Sequence, residues 1–259
     1  MGKNTGIKVL IAILIILIVV TVGLSVAKIM GDKNLQGNIQ VGNKPDDENK
    51  TEVIEVKEVQ TFKGTDRPIA VMIDNHKDAM PHSGLNDAYL VYEIIVEGGE
   101  SRLMALFKGV DVDKIGPVRS SRHYFLDYAL ENDAIYAHFG WSPQAQSDIS
   151  KLGVNNINGI YYDSAKERTD SALFWRTKEK YAPHNAMTNT SKLLQIANKL
   201  GYRTTSTKER VLKYVVEPVE LKGDMQATKV TIPYSDSNTV KYEYDENSQK
   251  YVRYSKGIK

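Results

Sequence analysis

The sequence predicts an α/β or α+β fold, a mixed sheet covered by helices, with a C-terminal β-hairpin unit that reads as incomplete. Three observations lead there. A continuous apolar run, Ile69-Ala70-Val71-Met72-Ile73, ends in Asp74-Asn75-His76, as a buried strand does when it delivers polar residues at its end. Two β-rich runs, Tyr89 to Val96 and Arg102 to Val110, flank the turn Glu97-Gly98-Gly99-Glu100. Amphipathic stretches with start and stop signals then alternate with further β runs, the pattern of helices layered on a sheet.

The whole chain sets outer bounds. Its 259 residues are 41% hydrophobic and 25% charged, an ordinary globular composition with room for one sizeable domain and a small appendage. The absence of cysteine excludes disulfides, thiolate nucleophiles, zinc–cysteine sites and iron–sulfur clusters. A formal net charge of +2 lacks the basic footprint of a nucleic-acid binder, so that class of partner is set aside.

Residues 1–30 read as an N-terminal transmembrane anchor. Val9 to Ala27 are uncharged and almost all Ile, Leu, Val or Ala. As a helix this run spans roughly 28 Å, close to the thickness of a bilayer's hydrocarbon core. Lys3 and Lys8 precede it and Lys28 follows, with few residues before the helix, which favours an inside amino terminus. The alternative is a cleaved signal peptide ending at Ser25-Val26-Ala27, although a signal core is usually shorter. Both readings export the rest of the chain. Residues 31–66, rich in Asn, Asp, Glu, Lys and Gly, read as a flexible extracytoplasmic stalk that cannot bury enough surface to offset its ordering entropy. Within it, Glu52 to Phe62 alternates well enough for an edge strand.

The compact domain is expected over residues 67–221. After the two strands and their glycine turn, Ile115-Gly116-Pro117 is a breaker. Tyr124 to Leu130 sets Phe125, Leu126, Ala129 and Leu130 on one helical face, with Ser121 as its N-cap. Ala134 to Phe139 is a further strand. A helix near Pro143 to Leu152 is begun by Ser142, with Pro143 at its first position. Another spans Thr190 to Leu200 and stops at Gly201. Residues 222–259 change character. Val230 to Tyr234, Val240 to Tyr244 and Tyr251 to Tyr254 are β-rich, and Asp245 to Gln249 turns between the last two. Strands this few are marginal alone, so the unit either docks on the domain or is the truncated start of a small β domain.

Two constellations carry candidate chemistry. All five histidines lie between His76 and His184. His76 and His138 end expected strands, and His184 sits in the turn Ala182-Pro183-His184-Asn185. Ligand sites gather at strand ends in sheets covered by helices. If these ends share one edge, Asp74, His76, His138 and His184 converge as candidate acids, bases or ligands. No spacing matches a zinc signature, so neither a metal nor another cofactor is expected. The second constellation is Gly116-Pro117-Val118-Arg119-Ser120-Ser121-Arg122. Guanidinium forks and hydroxyls in a loop that opens onto a helix make a phosphate or carboxylate site, to which Arg102 and Arg176 can add. The plainer reading pairs Arg119 and Arg122 with Glu93 or Glu97 in structural salt bridges. Those two acids, an even number of residues apart on one strand, are expected on the same side. Trp141 and the Phe174-Trp175-Arg176 segment can stack on a sugar ring or simply fill space.

Four stretches in order, Arg67 to His76, Val91 to Gly99, Ile115 to Arg122 and Ala182 to Asn185, resemble the YerB-like family of bacterial cell-envelope lipoproteins. The resemblance runs from about Arg67 to the end. It implies an exported protein with an N-terminal domain of uncharacterised function and a smaller C-terminal domain, of which residues 222–259 look like the beginning. The family is typically lipid-anchored, whereas here no cysteine can carry a lipid and the hydrophobic helix takes that role. No catalytic role comes with the resemblance. Glu100 to Lys108 followed by Pro117 to Ser121 is also similar in layout to the LytR-CpsA-Psr phosphotransferases, which use arginines to hold a lipid pyrophosphate. Their fuller Arg/Asp pattern is absent.

The function expected is that of a single-pass, membrane-anchored extracytoplasmic envelope protein. It binds an anionic wall glycan or a polyprenyl-phosphate-linked glycan through Arg102, Arg119, Ser120, Ser121, Arg122 and Arg176. The alternatives are an envelope phosphotransferase or hydrolase using Asp74, His76, His138 or His184, and a non-catalytic scaffold for other envelope proteins.

Overall fold

The structure, a computed structural model, describes residues 64–162, 173–209, 211–212 and 227–258. The anchor expected over residues 1–30, nearly all of the stalk and the edge strand within it lie outside the described residues. Among the described residues no helix is long and apolar enough to cross a membrane.

Strands β1 (Ile69–Asp74), β2 (Leu90–Ile95), β3 (Ser101–Phe107), β4 (Ile135–His138) and β5 (Asn156–Asn158) form one mixed sheet, ordered β2-β3-β1-β4-β5. β1 is antiparallel to β3 and parallel to β4, so the centre of the sheet joins a hairpin half to a crossover half. β1 and β3 are buried along their whole length, which is why both read as nearly continuous apolar runs.

Strand alternation sends successive side chains to opposite faces. Ile69, Val71, Ile73, Leu103, Ala105 and Phe107 pack on one side against helix α3 (Thr190–Lys199) through Leu193, Ile196 and Ala197. Ala70, Met72, Met104 and Leu106 pack on the other against α1 (Leu126–Glu131) and α2 (Pro143–Lys151) through Leu126, Ala129 and Ile149. Each large apolar side chain so buried contributes about 1.5–3 kcal/mol. The sheet is the middle of three layers.

Helix starts follow local chemistry. Ser142 accepts from the Ala145 N–H at 3.2 Å with Pro143 in the first turn, and Asn189 accepts from the Lys192 N–H at 2.8 Å. Gly201, in the left-handed region at φ 69°, follows the end of α3. The start of α1 differs from expectation. A 3-10 turn, His123–Phe125, leads into it, and Ser121 caps nothing because its Oγ accepts the Tyr136 hydroxyl at 2.8 Å. Leu130 is also displaced from the expected buried face, being 37% exposed.

Two short strands, β6 (Trp175–Arg176) and β7 (Ala186–Met187), pair with each other. The C-terminal strands β8 (Lys229–Ser235), β9 (Asn238–Asp245) and β10 (Lys250–Ser255) form an antiparallel sheet ordered β10-β9-β8. Its second turn is held by Asp245, which accepts from the Asn247 N–H at 3.1 Å and the Ser248 hydroxyl at 2.8 Å. This unit docks on the β2–β3 hairpin through polar groups. Arg253 reaches Glu93 at 2.8 Å, Asn238 donates to Ser101 Oγ at 3.0 Å, Ser235 donates to the Gly99 carbonyl at 2.8 Å, and Lys256 pairs with Glu100.

The chain enters the domain through a clamp. The Arg67 N–H donates to the Thr204 carbonyl at 2.7 Å, and Asp66 bridges Thr205, so the last residues assigned to the stalk are already paired. The Arg67 guanidinium, almost fully buried, donates to the Asp133 carbonyl at 2.6 Å and to Asn155 Oδ1 at 2.7 Å.

Candidate functional site

Beyond its last residues, β1 hands the chain to a polar turn. Asp74 Oδ1 accepts the His76 N–H at 3.1 Å, and His76 Nδ1 accepts the Asp78 N–H at 3.2 Å, capping the 3-10 turn Lys77–Ala79. The segment Pro117–Ser121 runs between the ends of β1 and β4. The Asp74 N–H donates to Pro117 O at 2.9 Å and the Arg119 N–H to Met72 O at 2.9 Å. On the other side the Phe139 N–H donates to Arg119 O at 2.9 Å and the Ser121 N–H to Gly140 O at 2.9 Å. Gly116 permits the approach of residues 186–188. Its φ is 141°, and a Cβ there would lie 2.8 Å from the Ala186 carbonyl oxygen. The Val118 N–H then donates to that same carbonyl at 2.6 Å, and the turn preceding it delivers His184.

These segments enclose a cleft of about 280 Å³, lined among others by Asp74, His76, Arg102, Arg119, Arg122 and His184. The histidine and arginine constellations of the sequence therefore meet in one place. His184 Nδ1 lies 2.7 Å from Asp74 Oδ2, and Arg119 Nε lies 3.4 Å from the same oxygen. The rings of His76 and His184 stack, with centroids 4.4 Å apart and planes 14° from parallel. Arg122 grips Glu97 with both Nε, at 2.6 Å, and Nη2, at 2.9 Å. That fork holds the Glu97 carboxyl below the usual carboxylate range.

Arg102 differs from its two neighbours. It stands opposite Asp74 in the β1–β3 register and is only 8% exposed. Nη1 donates to the Ser120 carbonyl, yet no carboxylate lies within ion-pair distance of its guanidinium among the described residues. Burial, and then repulsion from Arg122, push its pKa down to about 10, which leaves it charged at neutral pH. Asp74 and Glu97 act on it through space without pairing with it, so a desolvated and only partly compensated cation sits in the wall of an open cleft.

Other residues singled out in the sequence lie elsewhere. His138 does not join the cleft. It is fully buried, with Nδ1 2.7 Å from Gly140 O and Nε2 3.3 Å from Asn156 Oδ1, and burial lowers its pKa to about 4. Ser120 donates to Phe139 O at 3.0 Å, and Ser121 is enclosed beneath Tyr136, so both hydroxyls serve the scaffold. Arg176 stacks on Phe139, 4.4 Å from the ring centroid, and reaches Asn185 Oδ1 at 2.9 Å. Trp141 packs beside His138 and Tyr161, while Trp175 carries the Lys192 ammonium 4.7 Å above its ring. Glu93 and Glu97 do not share a face. β2 ends at Ile95, the 3-10 turn Glu97–Gly99 follows, and Glu93 turns instead to Asn75, Ser101 and Arg253.

Two residues of this region carry no distinctive sequence signal. His82 Nε2 lies 2.8 Å from the Asp74 carbonyl, which can only accept, so that nitrogen carries the proton; burial lowers the pKa of the ring. Asp78 places a carboxylate oxygen 3.5 Å from His76 Nδ1.

Comparison with known proteins covers this region. A family described as "Protein of unknown function (DUF3048) N-terminal domain" matches residues 56–203. YerB, a candidate lipoprotein of Bacillus subtilis (strain 168), is 32% identical over 195 residues, which are 74% of this chain and 56% of YerB. The crystal structure of the YerB protein from Bacillus subtilis superposes with a TM-score of 0.62 and 31% identity, covering 75% of this chain and 62% of that one. The mixed fold is common to both, and the chain spans little more than half the length of its curated relative.

Proposed function

The chain belongs to the DUF3048 family, and from that premise we propose that it is an extracytoplasmic, membrane-tethered protein whose cleft binds the anionic group of a wall or lipid-linked glycan. The observation that carries the reading is Arg102, a buried guanidinium without a carboxylate partner among the described residues, beside Arg119 and Arg122. A phosphate or carboxylate entering the cleft supplies the direct ion pair that Arg102 lacks among the described residues. Arg119 and Arg122, more exposed, close on it by loosening their contacts with Asp74 and Glu97.

The location is supported from two sides. The relative YerB carries a lipoprotein name, and residues 9–27 of this chain form an uncharged apolar run of membrane-spanning length. With no cysteine to hold a lipid, that run is the tether.

The test is binding of inorganic phosphate, polyprenyl phosphate and wall glycans to the purified full-length chain in detergent. Binding should weaken as salt is raised and be lost in the Arg119→Ala/Arg122→Ala double variant. Unchanged binding in that variant overturns the site. A second reading, an envelope hydrolase, draws on the His184–Asp74 contact, a carboxylate orienting an imidazole at the rim of an anion cleft. Turnover of a chromogenic phosphoester that disappears in His184→Gln would favour it over simple binding.

A further inference from the structure

We propose that His76, His184 and Asp78 bind a divalent transition-metal ion of the zinc class at the edge of the cleft. Each of the three offers one ligand atom, and these atoms lie within 4.8 Å of one another. Donors around a tetrahedral zinc ion are about 3.4 Å apart, given metal–ligand distances near 2.1 Å. The group must therefore close by about 1 Å or somewhat more. Asp78 can supply that movement, because its side chain is 60% exposed on a short turn.

A second observation comes from behind the cluster. The nearly buried Asp74 carboxylate holds His184 Nδ1 at 2.7 Å, which fixes the ring and leaves Nε2 with no partner among the described residues. A carboxylate on the far nitrogen of an imidazole is the arrangement that orients metal-binding histidines and raises their basicity. Asp74 also offsets Arg119 across 3.4 Å, so the nearest guanidinium does not act on the ion alone. The His76 ring, now stacked on that of His184 with centroids 4.4 Å apart, turns out of that stack to aim a nitrogen at the shared ion.

Two imidazoles and one carboxylate select a borderline ion such as zinc over calcium or magnesium, which prefer all-oxygen cages. The spacing His76-x-Asp78 with a distant His184 matches no zinc signature in sequence, so only the fold assembles the set. The proposal is independent of anion binding, since it uses none of the three arginines.

The experiment uses the purified full-length chain in detergent, stripped with a chelator and dialysed. Zinc chloride is titrated calorimetrically, and cobalt chloride is followed by its visible absorption. The expected result is a single ion per chain, with a cobalt spectrum showing mixed nitrogen and oxygen coordination. Binding should be lost in His76→Gln and in His184→Gln, and weakened about 10–100-fold in Asp74→Asn. It should persist in the control His123→Gln, which alters an exposed histidine outside the cleft. Arg119→Ala/Arg122→Ala should keep zinc binding whether or not it loses phosphate, which separates this proposal from the anion reading. No binding to the wild-type chain overturns the proposal. So does unchanged binding in a folded His76→Gln/His184→Gln variant, with folding checked by circular dichroism.

Discussion

Asp74 Oδ2 is shared between His184 Nδ1, at 2.7 Å, and Arg119 Nε, at 3.4 Å, while Oδ1 of the same carboxylate accepts the His76 N–H. One nearly buried acid thus ties the end of β1 to two loops that are distant in sequence. Its removal leaves charges partly buried without compensation. Asp74→Ala should destabilise the domain by about 3–5 kcal/mol, read as a lower midpoint in urea unfolding. Asp74→Asn, which keeps the shape and an acceptor oxygen, should cost clearly less.

Arg122 and Glu97 make a two-pronged contact whose carboxylate is 65% exposed. Glu97 competes with any anion for Arg122, so Glu97→Gln should tighten phosphate binding several-fold. Arg122→Ala should weaken it by about 10–100-fold, the range of a charge-assisted hydrogen bond. Calorimetric titration at low salt measures both.

His138 makes stability depend on pH. Its folded pKa, about 4, lies below the reference value of 6.5, so the unfolded chain binds more protons between those limits. Stability is therefore full above pH 6.5 and falls as the pH drops toward 4, by on the order of 3 kcal/mol from this ring. His82, also lowered by burial, acts in the same direction. Urea midpoints at pH 7, 5.5 and 4 should fall in that order, and His138→Gln should flatten the slope even though it lowers the starting value.

Glu93 joins the two sheets. Its side chain is 7% exposed and accepts from Ser101 at 2.6 Å, Asn75 at 3.1 Å and Arg253 at 2.8 Å. Arg253→Ala leaves this carboxylate without its cation and should cost about 3–5 kcal/mol. Glu93→Gln/Arg253→Met removes both charges and should recover much of that loss. A double-mutant cycle from urea unfolding separates the two.

Much of the fold could be read from the chain because its central strands and helix starts obey local rules. The apolar run before Asp74, the double glycine after Glu97 and the Ser142–Pro143 start each act within a few residues. What escaped depends on partners far away in sequence. The even spacing of Glu93 and Glu97 assumed a strand that in fact ends at Ile95, where Gly98 at φ 69° turns the chain. His138 does end a strand, but β4 lies at the interior of the sheet and both ring nitrogens are already engaged. Ser121 stands where a helix cap would serve, yet Tyr136 claims its hydroxyl from beneath. The strands β5, β6 and β7 have only two or three residues each, too few for periodicity to show. Arg102 carried no mark beyond its charge, and only the folded geometry shows that it stands opposite Asp74 yet makes no ion pair among the described residues.

The Arg67 clamp has a mechanical consequence. A pull on the chain from the amino-terminal side meets that guanidinium, anchored on Asp133 and Asn155, before it reaches β1. Beyond the clamp the load runs along a central strand flanked by β3 and β4, so its ladder bonds are sheared together instead of being unzipped singly. An outward tug on this end of the molecule is thus met along the strands, the direction in which the ladder bonds of β1 resist together.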